Sequence, residues 1–294
     1  MSVKPFLKWA GGKGQLLQEI QPYYPFENGV TKYAEPFVGG GAVLFDILSR
    51  YDVGEVYISD TNVELINAYR VIRGSVEELV DRLAQYQDSF IPLPKAERRE
   101  IYLARRERFN DLKMRGTDGE DVEKAALMIF LNRTCFNGLY RVNRKGLFNV
   151  PMGDYKKPAI CDPANLRAVS ARLRQVDIVC GDYRQSADFI DERTFAYFDP
   201  PYRPLTDTAD FTAYTEAPFS DVEQIELAGF VSEMARRGAR VVVSNSDPRN
   251  ADDTDDFFDR IYASHRIRRV SAARMINCNS EARGKIKELL ISNY

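Results

Sequence analysis

Apolar and polar positions along the chain follow a strand–helix rhythm at both ends and a purely helical one between. Lys32 to Glu35 reads as a short strand stopped by Pro36; the Gly39-Gly40-Gly41 loop follows, and Ala42 to Leu48 has helical spacing. A second strand, Val56 to Ser59, ends in Asp60, and Asn62 is of the type that caps the helix expected over Val63 to Ile72. Gln15 to Ile20 reads as a short helix near the N-terminus. From Val76 to Leu131 the pattern is helical and richly charged. Leu139 to Val150 then changes character: Tyr140, Val142, Leu147, Phe148 and Val150 around Asn143-Arg144-Lys145-Gly146 predict a β-hairpin with a basic tip. The rhythm returns with strands at Val176 to Val179 and Phe195 to Phe198, a helix at Asp221 to Arg237, an unbroken apolar strand at Arg240 to Val243, and an antiparallel closing strand at Leu289 to Ile291. This predicts an α/β fold, a doubly wound and mostly parallel sheet. Residues 1–75 and 168–294 form its main domain, and residues 76–167 an inserted helical-plus-hairpin domain.

A net charge of −2 does not mark the whole chain as a polyanion binder, but its distribution is uneven. Arg133, Arg141, Arg144, Lys145, Lys156 and Lys157 face a single acidic neighbour, Asp154, and the stretch from Arg260 to Lys287 is basic apart from Glu281. Such stretches suit a polyanion docked on one face, or a merely solvated surface. The acidic run Asp252, Asp253, Asp255, Asp256 and Asp259 reads as a solvent loop. Cys135, Cys161, Cys180 and Cys278 are widely spaced and His265 is the one histidine, which argues against a disulfide framework and a zinc site. Neither a signal-peptide core nor a membrane-length apolar run is present in the pattern, so a cytoplasmic protein is expected.

Open α/β sheets bind ligands beyond the carboxyl ends of their strands, and three carboxylates, Asp60, Asp182 and Asp199, follow apolar strands there. The turn Glu35-Pro36-Phe37-Val38-Gly39-Gly40-Gly41 allows close backbone approach, and Asp60 beyond it can accept hydrogen bonds from ribose hydroxyls. The turn is not GxGxxG. A nucleoside, a phosphate-bearing cofactor and a structural turn all fit it. Lys8-Trp9-Ala10-Gly11-Gly12-Lys13 is not a phosphate-binding Walker loop, since Gly14 stands where Ser or Thr is needed; it reads either as a ligand-contacting loop or as a capping turn. The sharpest signal is Asp199-Pro200-Pro201-Tyr202. Two prolines remove two backbone donors, leaving a carboxylate, a carbonyl and an aromatic ring. That set can hold a planar base by its amino group: two acceptors take both N–H bonds and favour a lone pair aimed at an electrophile.

Taken in order, Lys8 to Lys13, Glu35 to Gly41, Asp60-Thr61-Asn62 and Asp199 to Tyr202 resemble the Dam-type DNA adenine-N6 methyltransferases. Asn132-Arg133, Phe136 to Asn143, Gly146 to Pro151 and Gly153-Asp154-Tyr155 resemble the recognition hairpin of members that modify GATC. The resemblance implies that Trp9, Lys13, Phe37, Gly39, Asp60 and Asp182 bind S-adenosyl-L-methionine, whose product is S-adenosyl-L-homocysteine. It implies that Asp199 and the Pro200 carbonyl, in the turn completed by Pro201, hold the target amine while Tyr202 stacks on a flipped adenine. Lys8, Asn137, Leu139, Arg141 and Pro151 match positions that recognise DNA, with Arg141 suited to a guanine edge. Phe136 stands where some members carry Tyr and offers no hydroxyl. Arg266 to Arg269, Ser271, Arg274, Asn277 and Arg283-Gly284-Lys285 resemble a closing loop that contacts phosphates. The implied partner is double-stranded DNA, acted on by a monomer, with no membrane, no metal, and a cognate restriction nuclease as a possible companion. Methylation of cytosine, RNA or a protein glutamine, a DNA-binding protein with an idle site, and a nicotinamide oxidoreductase are the competing readings. DPPY speaks against the last.

Overall fold

The computed structural model describes residues 3–116, 121–203, 219–273 and 285–294. Its strands are β1 (Lys32–Glu35), β2 (Glu55–Asp60), β3 (Val176–Cys180), β4 (Thr194–Phe198), β5 (Arg240–Ser246), β6 (Arg266–Ala273) and β7 (Lys285–Ser292). They form one sheet in the order β3-β2-β1-β4-β5-β7-β6. The pairs β3/β2, β2/β1, β1/β4 and β4/β5 are parallel, while β7 runs antiparallel to both β5 and β6.

Side chains of a strand alternate between faces, and each face here carries helices. Tyr33, Val56, Ile58, Phe195, Tyr197 and Val242 join the core beneath α2 (Ala42–Arg50) and α3 (Val63–Gly74). Ala34, Tyr57, Ala196, Phe198, Val241 and Val243 pack beneath α8 (Asp221–Arg236) and α9 (Phe257–Ile261) on the other face. Each fully buried large side chain of this kind contributes about 1.5–3 kcal/mol. Asn62 caps α3 by accepting from the Leu65 amide, and Ser220 with Glu223 forms a capping box at the start of α8.

The middle of the chain supplies α4 (Val76–Phe90), α5 (Lys95–Arg115), α6 (Val122–Thr134) and α7 (Pro163–Leu173). Leu79, Phe90, Tyr102, Phe109 and Phe130 from these helices share one continuous apolar core with Leu65 and Ile66 of α3. The helix expected over Gln15 to Ile20 is shorter, a 3₁₀ turn at Lys13–Gln15 followed by α1 (Leu17–Ile20).

Two elements depart further from the sequence pattern. The hairpin predicted over Leu139 to Val150 is a tight loop with single bridges, Val142 to Phe148 and Cys135 to Met152, instead of two continuous strands. The Asn143 amide donates to the Leu147 carbonyl and the Asn149 amide to that of Arg141, while the Asn110 side chain holds the outward-facing backbone groups of Phe148, accepting from its N–H at 2.8 Å and donating to its C=O at 3.1 Å. Tyr102 donates to the Val150 carbonyl as well. The basic stretch from Arg266 is not a loop but strand β6, paired with β7 along its length. Its apolar positions alternate with arginines, and the charge masked the strand pattern. Arg274, Asn277, Cys278, Glu281, Arg283 and Gly284 lie outside the described residues.

Candidate functional site

The strand order reverses direction at β1, whose neighbours are β2 on one side and β4 on the other. The crevice at such a switch point is where open α/β sheets place ligands. Beyond the ends of β1 and β4 lie the glycine turn and the DPPY turn.

Gly39 has φ 47° and Gly41 has φ 71°, left-handed values that favour glycine. A Cβ on Gly39 would stand 2.9 Å from Trp9 Cδ1, so the N-terminal loop lies directly on the turn. Asp60, at the end of β2, ties the turn down: Oδ2 accepts from the Gly39 amide at 3.1 Å and Oδ1 from the Asn62 amide at 2.9 Å. Burial raises its pKa, against the pull of these backbone amides. Phe37 stacks on Tyr183 with ring centres 5.5 Å apart and meets Phe219 edge-on. Asp182 is half-exposed after β3; its Oδ1 accepts from both the amide and the guanidinium of Arg184. Phe37, Gly39, Asp60 and Asp182 therefore line one edge of the sheet, with Trp9 across the turn.

Lys13 reaches from the N-terminal loop across to the second turn. Its ammonium lies in the DPPY corner, 2.8 Å from Asp199 Oδ1, 2.6 Å from the Gly11 carbonyl and 4.6 Å from the centre of the Tyr202 ring. Ser244 Oγ also donates to Asp199 Oδ1 at 2.8 Å and accepts from Tyr197 OH at 3.0 Å. Burial raises the Asp199 pKa, while Lys13 and Ser244 hold it down. Tyr202 OH donates to Glu288 Oε2 on β7, and the Pro201 carbonyl accepts from Gln224 Nε2 of α8 at 3.0 Å. Below the corner, Glu35 is buried and accepts from Tyr33 OH at 2.6 Å. Burial pushes it up to about 8; the Tyr33 hydrogen bond opposes this, and the Asp199 charge adds to it.

A second group forms the loop face after α6. Asn132 is buried and acts as a clasp: Oδ1 accepts from the Lys8 amide, and Nδ2 donates to the carbonyls of Lys8 and Gly138. Trp9 stacks on Tyr140 at 5.4 Å, and the Lys8 ammonium stands over the Tyr155 ring. Asn137 has φ 57°, the one positive value at a non-glycine among the described residues. It is exposed beside exposed Phe136, whose amide donates to the exposed Pro151. Leu139 is half-buried. Arg141 points to solvent, its Nε donating to Asn149 Oδ1 at 2.8 Å. Lys8, Asn137, Leu139 and Pro151 are thus brought together, and Arg141 lies further along the loop. Arg133 is only half-buried surface, donating to the Phe6 carbonyl.

The acidic run is a solvent loop only in part: Asp252, Asp253 and Asp256 are exposed, but Asp255 pairs with Arg203, and Asp259 with Arg249 and Arg269. Arg269 also reaches buried Asp247, and Arg268 pairs with Glu19, so these two arginines of β6 are already engaged. Sequence reasoning quoted Glu35 and Asn132 only within motifs, without a role, and also missed Ser244, Asn245 and Gln224. One signal was available for two of them: Ser244-Asn245-Ser246-Asp247 is a polar run ending an apolar strand, all of it buried, and buried polar groups demand partners. Among the described residues no cluster of three or more His, Cys, Asp or Glu is placed to hold a metal, and no helix is long and apolar enough to cross a membrane.

A glycine turn, an acceptor carboxylate and an acidic Pro-Pro-aromatic corner along one carboxyl edge of a doubly wound sheet define an α/β enzyme that handles nucleosides or bases. The chain belongs to the D12 class N6 adenine-specific DNA methyltransferase family, which it matches over residues 9–276. It is similar to the type II methyltransferase M.MjaIII of Methanocaldococcus jannaschii, 47% identical over the full length of both chains. It is 36% identical to the type II methyltransferase M1.LlaDCHI of Lactococcus lactis, covering all of this chain and 96% of that one. With the DNA adenine methylase of Escherichia coli the identity is 33%, over 98% of this chain and 94% of the relative.

Proposed function

We propose that this adenine-specific DNA methyltransferase uses S-adenosylmethionine to methylate an adenine turned out of duplex DNA, within GATC. The carrying observation is the Lys13 ammonium: an N–H donor already sits between the Asp199 carboxylate, at 2.8 Å, and the Tyr202 ring, at 4.6 Å. A base amine needs the same surroundings, an acceptor beside it and an aromatic plate against its ring.

The residues present suit the cofactor's chemistry. Asp60 accepts from backbone amides through both oxygens, and a carboxylate's two oxygens keep acceptor capacity for a ribose hydroxyl. Phe37 offers an aromatic face for the adenine, the Gly39 turn keeps the backbone close, and Trp9, Lys13 and Asp182 complete the proposed set. When bound, S-adenosylmethionine supplies an electrophilic methyl group. The chain's own task is to prepare the nitrogen. Asp199 and the Pro200 carbonyl accept the two N–H bonds, which localises the lone pair, and Asp199 is the oxygen to which the departing proton passes. Pro200 and Pro201 stiffen the turn. Lys13 must leave Asp199 before an amine can take its place.

Residues 76–167 form the proposed recognition domain, presenting Asn137, Leu139, Arg141 and Pro151 with Lys8 from the N-terminal loop. The resemblance of the loop to that of GATC-modifying members supports GATC, and the names of the adenine methylase relatives support adenine as the target. The type II names support a companion nuclease, and we propose a monomer as the acting species. The experiment is methyl transfer to duplexes that differ at one position of GATC. Transfer confined to the intact site is expected; equal transfer to every duplex would reject the GATC assignment.

A further inference from the structure

Two prolines in succession deprive the DPPY turn of the amides that ordinarily lock a loop after a strand. The residues that follow make up for this. Gln224 Nε2 donates to the Pro201 carbonyl at 3.0 Å, and Asn245 Nδ2 donates to Gln224 Oε1 at 3.1 Å. Asn245 Oδ1 accepts from the Arg203 amide at 3.3 Å, while Ser246 Oγ donates to the Arg203 carbonyl at 3.1 Å. Gln224, Asn245 and Ser246 are all buried.

The Arg203 side chain anchors the same turn from outside. Its Nε and Nη2 form a fork on the two oxygens of Asp221, at 2.6 and 3.0 Å, and its Nη1 reaches Asp255 Oδ2 at 2.6 Å. The guanidinium also lies 4.4 Å from the centre of the Phe257 ring. Asp221 opens α8, and Asp255 belongs to the acidic run, itself fixed by accepting from the Phe257 amide. All three guanidinium nitrogens are engaged by carboxylates, so Arg203 is not arranged as a phosphate contact. Fork-on-carboxylate pairs are the geometry in which arginine fixes orientation.

We propose that Arg203 is a positioning residue for methyl transfer: clamped by Asp221 and Asp255, it sets the angle at which Asp199, Pro200 and Tyr202 meet the target amine. The inference rests on the proposed role of the DPPY corner. It makes part of the acidic run, distant in sequence, a support of the catalytic turn. Misplacement of about 1 Å in such a corner can cost on the order of a hundredfold in rate.

The test compares Arg203→Gln, Arg203→Lys, Asp255→Asn and Asp199→Asn in single-turnover methyl transfer, with S-adenosylhomocysteine affinity, duplex affinity and melting temperature measured on each. Arg203→Gln is expected to slow the transfer step roughly tenfold to a hundredfold, with both affinities within about twofold of wild type. Arg203→Lys should recover part of the rate, and Asp255→Asn, which leaves the Asp221 fork intact, should lose less. The isosteric Asp255 variant keeps the test decisive if Arg203→Gln fails to fold. A wild-type transfer rate in Arg203→Gln and Asp255→Asn, or a loss traced wholly to duplex or cofactor affinity, overturns the inference while an inactive Asp199→Asn leaves the corner's role standing. Full turnover in Asp199→Asn would instead overturn the reading of the corner, and the positioning role with it.

Discussion

Asp199 Oδ1 serves two donors at once, the Lys13 ammonium and the Ser244 hydroxyl, each at 2.8 Å. Only the first has to give way to a substrate amine. Ser244 holds the carboxylate in its ionised form against the burial that raises its pKa. Ser244→Ala should therefore move the acid limb of the pH–rate profile for kcat/KM to higher pH. The hydrogen bond to a charged group is worth about 1.5–3 kcal/mol, enough to lower the rate at neutral pH measurably. An unshifted acid limb would show that Ser244 does not act through Asp199. Glu35 makes a different prediction. Its carboxyl goes from an ordinary value of 4.5 to about 8 when buried. The folded form thus binds the proton more tightly than the unfolded chain. That contribution to stability is complete below pH 4.5 and drains away as pH rises toward about 8. Each pKa unit corresponds to about 1.4 kcal/mol, so the loss is up to several kcal/mol. Glu35→Gln stays neutral, and its stability relative to wild type should improve from pH 5 to pH 8 in urea unfolding. A difference that is constant with pH would contradict the buried, protonated Glu35.

Among the elements, the loop after α6 shows what patterning can and cannot convey. Alternating apolar residues around Asn143-Arg144-Lys145-Gly146 announced a chain reversal, and one is present, with the Asn143 amide donating to the Leu147 carbonyl and the Gly146 amide to that of Asn143. The outer edge of the loop is held from afar: Asn110 on α5 takes both backbone groups of Phe148, which no local pattern reports. Strand β6 was missed for the opposite reason: its arginines, which read as phosphate contacts, pair with Asp247, Asp259 and Glu19. Long-range ion pairs turned a basic stretch into a sheet edge and an acidic run into its counterweight. Just before the turn Arg141 is exposed, its Nε donating to Asn149 Oδ1. Arg141→Ala should lower discrimination at one base pair of the site by about 1–3 kcal/mol while sparing transfer to the best duplex, read out as rate ratios over single-base variants. Uniform weakening on all duplexes, with a shallower salt dependence, would reassign it to a phosphate.

Across the whole molecule, the parallel strands β1, β2, β4 and β5 were legible because they are largely buried and read as apolar runs between polar turns, and β3 at the sheet's edge because apolar residues alternate with exposed Asp177. The residues beyond their carboxyl ends were legible as candidate chemistry, since Gly39, Asp60 and Asp199 follow apolar strands at the edge where open α/β sheets place ligands. What remained hidden was mutual placement: that Lys13 enters the DPPY corner, that Asn132 clasps the N-terminal loop to the loop after α6, and that Ser244 and Asn245 extend β5 into polar supports. Sequence spacing carries no information on such contacts across the fold. The reversal of strand order at β1 sets the glycine turn and the DPPY corner side by side at the carboxyl edge of the sheet.

The central claim is that the Asp199–Pro200 corner directs a methyl group to an adenine amine. The most direct measurement is mass spectrometry of nucleosides from duplex DNA incubated with S-adenosylmethionine and either the wild-type enzyme or Asp199→Asn. The expected result is N6-methyldeoxyadenosine from the wild type and none from the variant, which still binds S-adenosylhomocysteine. Methylated cytosine as the wild-type product, or equal yields of methyladenine from both proteins, would contradict it.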